Sequence, residues 1–219
     1  MKTYSKLLLA FLLLILVVPQ VVVAKPPKDG PHVEYYENGK KKSEIHYKNG
    51  ERDGLETRWH ENGQKEWEYH YKNGKLEGLW TWWWENGRKH VEGQFKDDEL
   101  DGLWTWWYEN GQKKSEGHWK NGEPDGLDTV WHENGQKKIE QHWKNGKRDG
   151  LATYWYENGQ MFSEAHYANG KLVSASAWKP DGKPCPITKV VDGSGIVANY
   201  HDNGKKWSEY RYKNGKRVK

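Results

Sequence analysis

Residues 109–127 read ENGQKKSEGHWKNGEPDGL, and this stretch contains two turn signals separated by a short polar and aromatic segment. Asn110-Gly111 and Asn121-Gly122 lie 11 residues apart. Asn-Gly is the strongest short-range hairpin signal, because a type I′ turn needs positive φ at both central residues. The stretch therefore predicts β-strands joined by tight turns.

The same pair of turn signals recurs along the chain at a fixed spacing. A second Asn-Gly follows the first by 11 residues in each unit except the third, where Asp97-Asp98 takes its place. A fixed period of this kind is typical of arrays in which each unit packs only on its neighbours. We predict an all-β fold, an elongated single-layer antiparallel array of 24-residue β-hairpin repeats. The asparagines of the first turn, mostly in Glu-Asn-Gly, are Asn38, Asn62, Asn86, Asn110, Asn134, Asn158 and, after a longer interval, Asn203.

Glycines near the start of each unit indicate the register of the hairpins. A two-residue turn at Asn62-Gly63 would place Gly54 opposite Tyr71 and Trp59 opposite Glu66. A ring opposite a strand glycine stabilises a sheet, so we adopt this register. The same rule pairs a glycine with an aromatic residue in all seven units, as Gly30–Tyr47, Gly54–Tyr71, Gly78–Phe95, Gly102–Trp119, Gly126–Trp143, Gly150–Tyr167 and Gly195–Tyr212.

The composition favours a thin, repetitive fold over a conventional globule. Of the 219 residues, 34% are apolar and 30% charged, and the mean hydropathy is −1.16. The chain nevertheless carries 15 Trp and 13 Tyr, whereas disordered chains are poor in aromatic residues. The formal charge is +4, and loss of Lys2 and Lys6 with a leader would leave 33 basic and 31 acidic residues. This balance predicts no nucleic-acid partner.

The first 24 residues have the pattern of a secretory signal peptide. A basic start precedes the apolar run Leu7–Val18, and Val22-Val23-Ala24 matches a cleavage site of small residues. The alternative is an uncleaved membrane anchor, but Pro19 interrupts a run that is shorter than the ~20 residues needed to span a bilayer. We predict cleavage after Ala24 and a mature chain that is exported, located in the periplasm, at the cell envelope or outside the cell.

The remaining chain divides into a linker at 25–30, six hairpin repeats at 31–170, an insertion at 171–194 and a seventh, terminal repeat at 195–219. The insertion follows from the 45 residues between Asn158 and Asn203, where 24 are expected. We predict an irregular loop that covers the open end of the sheet, with a binding loop as the alternative. The residues that favour a loop are Pro180, Gly182, Pro184, Cys185 and Pro186.

The segment Glu116–Gly122 followed by Asp125-Gly126-Leu127 resembles the MORN repeat in its bacterial variant form, in which an aromatic residue, a turn Asn-Gly and a downstream glycine recur. The resemblance covers residues 31–170 and 195–219. It implies an elongated, twisted array of β-hairpins that serves as a scaffold, a protein-binding module or a membrane-contact element. Bacterial variants often carry an antitoxin label, which makes an antitoxin or immunity role an alternative function.

The candidate catalytic and metal-binding patterns do not form a site. Glu and His recur two residues apart in five units, for example Glu116 and His118. Equivalent strands of neighbouring hairpins lie about 9 to 10 Å apart, too far for neighbouring histidines to share a metal ion. No nucleophile–base pair, P-loop or dinucleotide fingerprint is present in the sequence. We predict a non-enzymatic protein with no cofactor and no metal.

One group of aromatic residues departs from the repeat and is the candidate binding site. Units three and four carry rings where unit two carries Glu56, Arg58 and His60. Trp and Tyr are typical of binding hot spots, so protein recognition is the leading function, with a glycan or a lipid headgroup at a membrane surface as the alternative ligand. Internal packing also fits, because large rings face small residues, as Trp80 faces Gly93. We name as the aromatic cluster Trp80, Trp82, Trp84, Trp104, Trp106 and Tyr108.

Overall fold

The computed structural model describes residues 27–201 and 203–218. The predicted signal peptide at 1–24 lies outside the described residues, and the predicted linker at 25–30 lies partly outside them. None of the described residues belongs to a helix long and apolar enough to cross a membrane. The secondary structure of this part of the chain consists of strands and turns.

Eighteen strands form one open antiparallel sheet, so the predicted all-β hairpin array is confirmed. Strands that follow one another in sequence pair with each other, except that β5 and β6 both pair with β4 and not with each other. The strands are β1 Gly30–Tyr35, β2 Lys41–Lys48, β3 Glu51–Trp59, β4 Lys65–Lys72, β5 Lys75–Leu76, β6 Gly78–Trp83, β7 Lys89–Lys96, β8 Glu99–Trp107, β9 Lys113–Lys120, β10 Glu123–Trp131, β11 Lys137–Lys144, β12 Lys147–Trp155, β13 Met161–Ala168, β14 Lys171–Trp178, β15 Pro184–Val191, β16 Ser194–Tyr200, β17 Lys206–Lys213 and β18 Lys216–Val218.

The register predicted from the glycines is confirmed, with one local correction. All seven predicted glycine–aromatic pairs are strand partners in the sheet. Trp59, however, lies opposite Lys65 and not opposite Glu66, because the register shifts between Arg58 and Trp59. The same shift occurs near the end of the equivalent strand in other units. It is a β-bulge, in which one strand contributes an extra residue next to the turn.

The assignment of the tight turn to Glu-Asn-Gly was wrong. The two-residue turns lie at the second Asn-Gly of the units that have one, where Asn49 has φ of 54° and Gly50 has φ of 83°, as a type I′ turn requires. At Glu-Asn-Gly the turn is longer, and the Tyr36 N–H donates to the Lys40 carbonyl at 2.9 Å. There the Asn38 side chain accepts the Lys40 N–H at 3.0 Å, so this asparagine stabilises the turn through its side chain.

Side chains in the longer turns also connect each hairpin to the next one. The Asn62 side-chain amide donates to the Glu85 carbonyl at 2.8 Å, 23 residues further along the chain. The Tyr36 hydroxyl donates to the Trp59 carbonyl at 2.6 Å in the same direction. Because these bonds cross from unit to unit, they require a constant spacing between turns. They give a physical reason for the 24-residue period.

Residues 171–194 form a hairpin and not the predicted irregular loop. Strands β14 and β15 cover most of the segment, and Asp181-Gly182 and Asp192-Gly193 take the positions of the two turns. Asp181 lies 23 residues after Asn158 and 22 before Asn203, so two slightly shortened periods replace an insertion. The array therefore contains eight hairpin units, and this one is the seventh. Cys185, predicted to lie in the loop, is buried in β15.

Two buried apolar clusters of the described residues lie in units six to eight. Ala165, Leu172, Ala175 and Val190 form one buried cluster. A second cluster consists of Ala177, Cys185 and Ala198, and Tyr200 packs against it. The C-terminal end of the sheet therefore has a compact apolar core.

Candidate functional site

The two faces of the sheet carry different chemistry. On β8, Trp104 and Trp106 point to one face, and Leu103, Thr105 and Trp107 point to the other, because side chains alternate along a strand. We call these the aromatic face and the ladder face. The predicted aromatic cluster lies on the aromatic face of units three and four and in the turns beside it.

Trp104 is the packed centre of the aromatic cluster. Its side chain is only 3% exposed, and its indole N–H donates to the Gln94 carbonyl at 3.1 Å. The ring lies over the backbone of Gly93, where no side chain competes for space. Phe95 meets it edge-on, with ring centroids 5.2 Å apart. Trp104 is therefore packed inside the cluster, with little ring surface left exposed.

Trp80 extends the stack towards the second unit. Its ring is nearly parallel to that of Tyr69, with centroids 5.9 Å apart, and lies 5.2 Å from the Trp104 ring. Tyr69 in turn stacks on Trp67 at 4.3 Å. Burial raises the pKa of the Tyr69 hydroxyl far above its ordinary range. The continuous row of rings therefore begins in unit two, one unit earlier than the sequence indicated.

Trp82 and Trp84 enclose a histidine. The His90 ring lies 4.6 Å from Trp82 and 3.7 Å from Trp84 between ring centroids. Burial, helped by the charge of Lys114, lowers the pKa of His90 to about 4. Neither Nδ1 of His90 nor the indole nitrogen of Trp84 has a hydrogen-bond partner, although both atoms are buried. His90 is therefore neutral and packs as an apolar ring.

Trp106 and Tyr108 complete the predicted set but differ in their surroundings. Trp106 is half-buried, 5.9 Å from Trp104, and its strand partner Val91 separates it from Trp82. Tyr108 lies in the turn after β8, where its hydroxyl donates to the Trp131 carbonyl at 2.8 Å. Equivalent residues Tyr36 and Tyr156 make the same bond to the next unit. Tyr108 therefore has a structural role in coupling the units, apart from the stacked rings.

Three rings of this region, Tyr69, Phe95 and His90, were not predicted as part of the site. Phe95 was placed opposite Gly78 by the register, but its contact with Trp104 depends on side-chain orientation. Four of the eight units have a charged residue at the position of His90, such as Glu66 and Lys114, but the uncharged Trp207 at this position is 65% exposed. The sequence alone therefore did not identify His90 as buried.

The ladder face presents the same groups in unit after unit. A lysine near the start of one unit's second strand lies over the strand-end Trp of the next unit, and the Nζ of Lys89 lies 5.9 Å from the Trp107 ring centroid. The same ammonium forms an ion pair with Glu92. This face also exposes leucines. The lysine–tryptophan contacts are Lys41–Trp59, Lys65–Trp83, Lys89–Trp107, Lys113–Trp131 and Lys137–Trp155.

Polar networks flank the aromatic cluster on both sides along the aromatic face. In unit two, buried Glu56 faces Arg52 at 3.2 Å, and burial raises the pKa of its carboxyl despite this cation. In unit five, Asp128 accepts the Gln141 side-chain amide at 2.6 Å, and burial raises its pKa as well. These carboxylates are already hydrogen-bonded or ion-paired. They bound the apolar row and do not form an acid–base pair with each other.

The described residues offer surfaces for binding. Within 27–201 and 203–218, no three His, Cys, Asp or Glu side chains lie close enough to hold a metal ion. Successive Glu–His pairs of the ladder face lie in separate units, and the His118 Nδ1 is 3.4 Å from the Leu127 carbonyl. The sheet presents an aromatic surface and an ion-paired surface to a ligand or partner.

Comparison with known families agrees with the hairpin units. A family model described as the MORN repeat variant matches seven segments that together cover well over half of the chain. A second model, the MORN repeat, matches residues 116–127. No curated protein matches the sequence. The matched segments omit 170–193, the shortened seventh unit, and are residues 28–49, 52–73, 76–97, 100–121, 124–145, 148–169 and 194–214.

Proposed function

The chain belongs to the MORN repeat variant family, and we propose that it is an exported, non-enzymatic scaffold whose aromatic cluster binds a protein partner in the cell envelope or outside the cell. MORN repeats are generally protein- or membrane-binding modules and are not typically enzymatic. Membership of the family does not select a ligand. The proposal of a protein partner therefore rests on what distinguishes this array from a plain repeat.

The departure of the aromatic cluster from the repeat carries the proposal. A surface that repeats every 24 residues offers a partner several equivalent binding positions, so it cannot hold the partner at one place along the array. Residues that occur in only two adjacent units can define a single binding position. Trp82 and Trp106 occupy the position that holds Arg58 in unit two and Val130 in unit five. They mark a single place along the array.

Trp82 and Trp106 also have the physical properties of hot-spot residues. Both are half-buried, while Val91 between them and Trp104 beside them are buried. Packing on one side holds each ring in place before a partner arrives, which lowers the entropy lost on binding. Each ring keeps apolar area to bury against a partner. Trp residues in such positions commonly contribute 2 kcal/mol or more to binding, as an order of magnitude.

Affinity co-purification from an envelope extract tests the proposal. The bait variants are Trp82→Ala/Trp106→Ala and, as a matched control on the ladder face, Trp59→Ala/Trp131→Ala. We expect a protein that wild type and control retain and that the Trp82→Ala/Trp106→Ala variant loses. Retention by all three baits, with circular dichroism showing that each is folded, would contradict the proposal. If the alanine variant does not fold, Trp82→Phe/Trp106→Phe keeps the packing and reports on the same surface.

A glycan or a membrane would give a different result in the same assay. Material that is eluted by sugars, or vesicles that co-sediment with the bait without any protein, would replace the protein partner with one of these ligands. Export has its own test, which is the N-terminal sequence of the protein recovered from the periplasm or medium. A start at Lys25 supports the exported scaffold, and recovery of the protein only inside the cytoplasm contradicts it.

A further inference from the structure

The sheet is open at both ends, and the strands at the two ends belong to the same hairpin repeat. At the N-terminal end, β1 pairs only with β2 among the described strands. At the C-terminal end, the last full strand β17 pairs with β16 along its length, whereas β18 covers only Arg211, Tyr212 and Lys213. No described strand pairs with residues 206–210 on that outer side. Unpaired strand edges of this kind are sites for the addition of another strand.

Pairing between internal units shows which residues would fill the open edge of β17. Strand β11 pairs with β12 through Ile139–Tyr154, Glu140–Thr153 and Gln141–Ala152. The glycine–aromatic pairs place β17 in the position of β11, and β1 in the position of β12. By this correspondence Ser208 would face Glu34, Glu209 would face Val33, and Tyr210 would face His32. A strand that pairs with the open edge of β17 would therefore occupy the same position in the repeat as β1.

We propose that a second copy of this chain binds head-to-tail, with its β1 paired to residues 206–210 of β17, so that the sheet continues from one molecule into the next. The contact reproduces the interface between neighbouring units of the same chain. It does not use the aromatic cluster and is independent of the function proposed for it.

The lysine–tryptophan ladder supplies the first argument for this contact. Lys206 is held as the internal lysines are, ion-paired with Glu209 at 3.0 Å and 48% exposed, but no later strand among the described residues places a ring beside it. Tyr35 occupies the first ring position of the ladder and is 60% exposed, because no earlier described strand packs against it. In the head-to-tail contact the Lys206 ammonium would lie over Tyr35 of the second copy. Lys137 lies over Trp155 in the same way, 5.8 Å from the ring centroid.

The longer turns supply the second argument. The His60 and His132 Nε2 atoms lie within 3.4 Å and 3.2 Å of a carbonyl in the next unit, at Trp83 and Trp155. His201 occupies the equivalent position in the last unit and is exposed. The matching carbonyl in a second copy belongs to Tyr35. The two groups of this recurring contact are therefore both available for a head-to-tail contact. The histidine lies at the C-terminal end of the sheet and the carbonyl at the N-terminal end.

The terminal residues of the two copies overlap at the edge of this contact. Lys28 and Arg217 both correspond to Arg148 of an internal unit. The carbonyls of Lys28 and Arg148 accept equivalent turn N–H groups. Arg217 pairs with Tyr212 as Arg148 pairs with Trp143. One of the two segments must therefore move aside. Strand β18 is the segment that moves, since it has three strand pairs and three exposed residues, and the Arg217 guanidinium, 3.7 Å from the Tyr210 ring centroid, must leave that ring. The resulting contact joins two different surfaces and extends into an open filament.

Disulfide trapping tests the predicted register. Glu34→Cys and Ser208→Cys in one chain would lie directly opposite each other across the contact, where Cβ atoms are about 4.5 to 5.5 Å apart and within reach of a disulfide. Mild oxidation is expected to give dimers, trimers and higher covalent oligomers that dithiothreitol reverses. The control Glu34→Cys/Glu209→Cys places the two thiols on opposite faces and is expected to give no such series.

Two results would overturn the head-to-tail contact. One is an absence of products beyond the dimer from the Glu34→Cys/Ser208→Cys variant when circular dichroism shows that it is folded. The other is an equal series from the Glu209→Cys control, which would mean random collision. Light scattering on the unmodified protein provides a second measurement. The mean mass must rise with protein concentration, and a constant monomer mass at the highest accessible concentration would contradict the proposal.

Discussion

The indole ring of Trp104 occupies the space that a side chain at Gly93 would need. A Cβ atom built on Gly93 would overlap three carbons of that ring, and even the most distant of them, Cε3, would lie only 2.6 Å away. The two residues therefore form a complementary pair, one large and one absent side chain. This pair fixes Trp104 at the centre of the stacked rings and makes Gly93 as important to the aromatic cluster as any tryptophan.

Replacing Gly93 tests this relationship. Gly93→Ala forces the Trp104 ring out of its position and should lower the free energy of unfolding by about 1 to 3 kcal/mol, the usual cost of overpacking. Gly117→Ala is the matched control, because the nearest atom to its Cβ would be Oδ1 of Asp128 at 3.2 Å, and it should cost less. Urea unfolding monitored by fluorescence gives both values. In a Trp104→Val background the penalty of Gly93→Ala should disappear, and an unchanged penalty would contradict the account.

His90 should make the stability of the protein depend on pH. Burial lowers its pKa to about 4 in the folded chain, whereas the unfolded chain titrates near 6.5. Between these values the unfolded state binds more protons, so the free energy of unfolding falls as the pH decreases from 6.5 to 4. The loss attributable to His90 should be about 1 to 3 kcal/mol.

The variant His90→Phe isolates this contribution from that of the carboxylates. Phe162 occupies the equivalent position in unit six and packs against Tyr154 and Tyr156. Unfolding curves at several pH values should show a flatter dependence between pH 4 and 6.5 for His90→Phe than for wild type. The same curves for exposed His118→Ala provide the matched control. Equal slopes for wild type and His90→Phe would show that His90 is not buried in its neutral form.

Met161 interrupts the lysine series of the ladder face and offers a gain of stability. It pairs with Trp155 where six of the eight units have a lysine, and Glu164 follows three residues later, as Glu140 follows Lys137. Met161→Lys should add an ion pair with Glu164 and raise the free energy of unfolding by about 0.3 to 1 kcal/mol. The gain should shrink in high salt, and Met161→Gln should not show it. A loss of stability at low salt would contradict the claim that a lysine at position 161 forms the same ion pair as the lysines of the other units.

Thr188 tests the order of the seventh unit. Its hydroxyl accepts the Ala198 N–H at 2.8 Å and donates to the Ala198 carbonyl at 3.0 Å, and Ala198 is 0% exposed. Thr188→Val keeps the shape but leaves two buried backbone groups without a partner, which should cost about 1 to 3 kcal/mol. Thr105→Val, at another buried threonine, should cost less. If the Thr188→Val variant unfolds at the wild-type urea concentration, residues 171–194 are not the ordered hairpin described above.

Sequence patterns were sufficient to predict the fold because the spacing of turn residues and glycines in the repeat determines the strand register. Seven glycine–aromatic pairs followed from one turn rule and all of them form in the sheet. The error at Trp59 arose because a β-bulge changes the register by one residue without altering the pairs beyond it. The error at 171–194 arose because proline and aspartate replaced the usual turn residues while the spacing shortened by one or two residues, which resembles a loop.

The candidate site was only partly predictable for a different reason. Residue types and spacing placed the tryptophans on one face, but they did not separate a buried ring such as Trp104 from a half-buried one such as Trp106. That distinction depends on which neighbour each ring lies over. Phe95 and His90 became visible as members of the region only through these contacts, since neither differs from the repeat in a way that specifies its partner.

The most direct test of the proposed function is a calorimetric titration of the captured partner into wild type, into Trp82→Ala/Trp106→Ala and into the control Trp59→Ala/Trp131→Ala. Loss of two hot-spot rings should weaken binding by about 30-fold or more, while the control binds like wild type. Equal affinities for wild type and a folded Trp82→Ala/Trp106→Ala variant would contradict the claim that the aromatic cluster binds the partner.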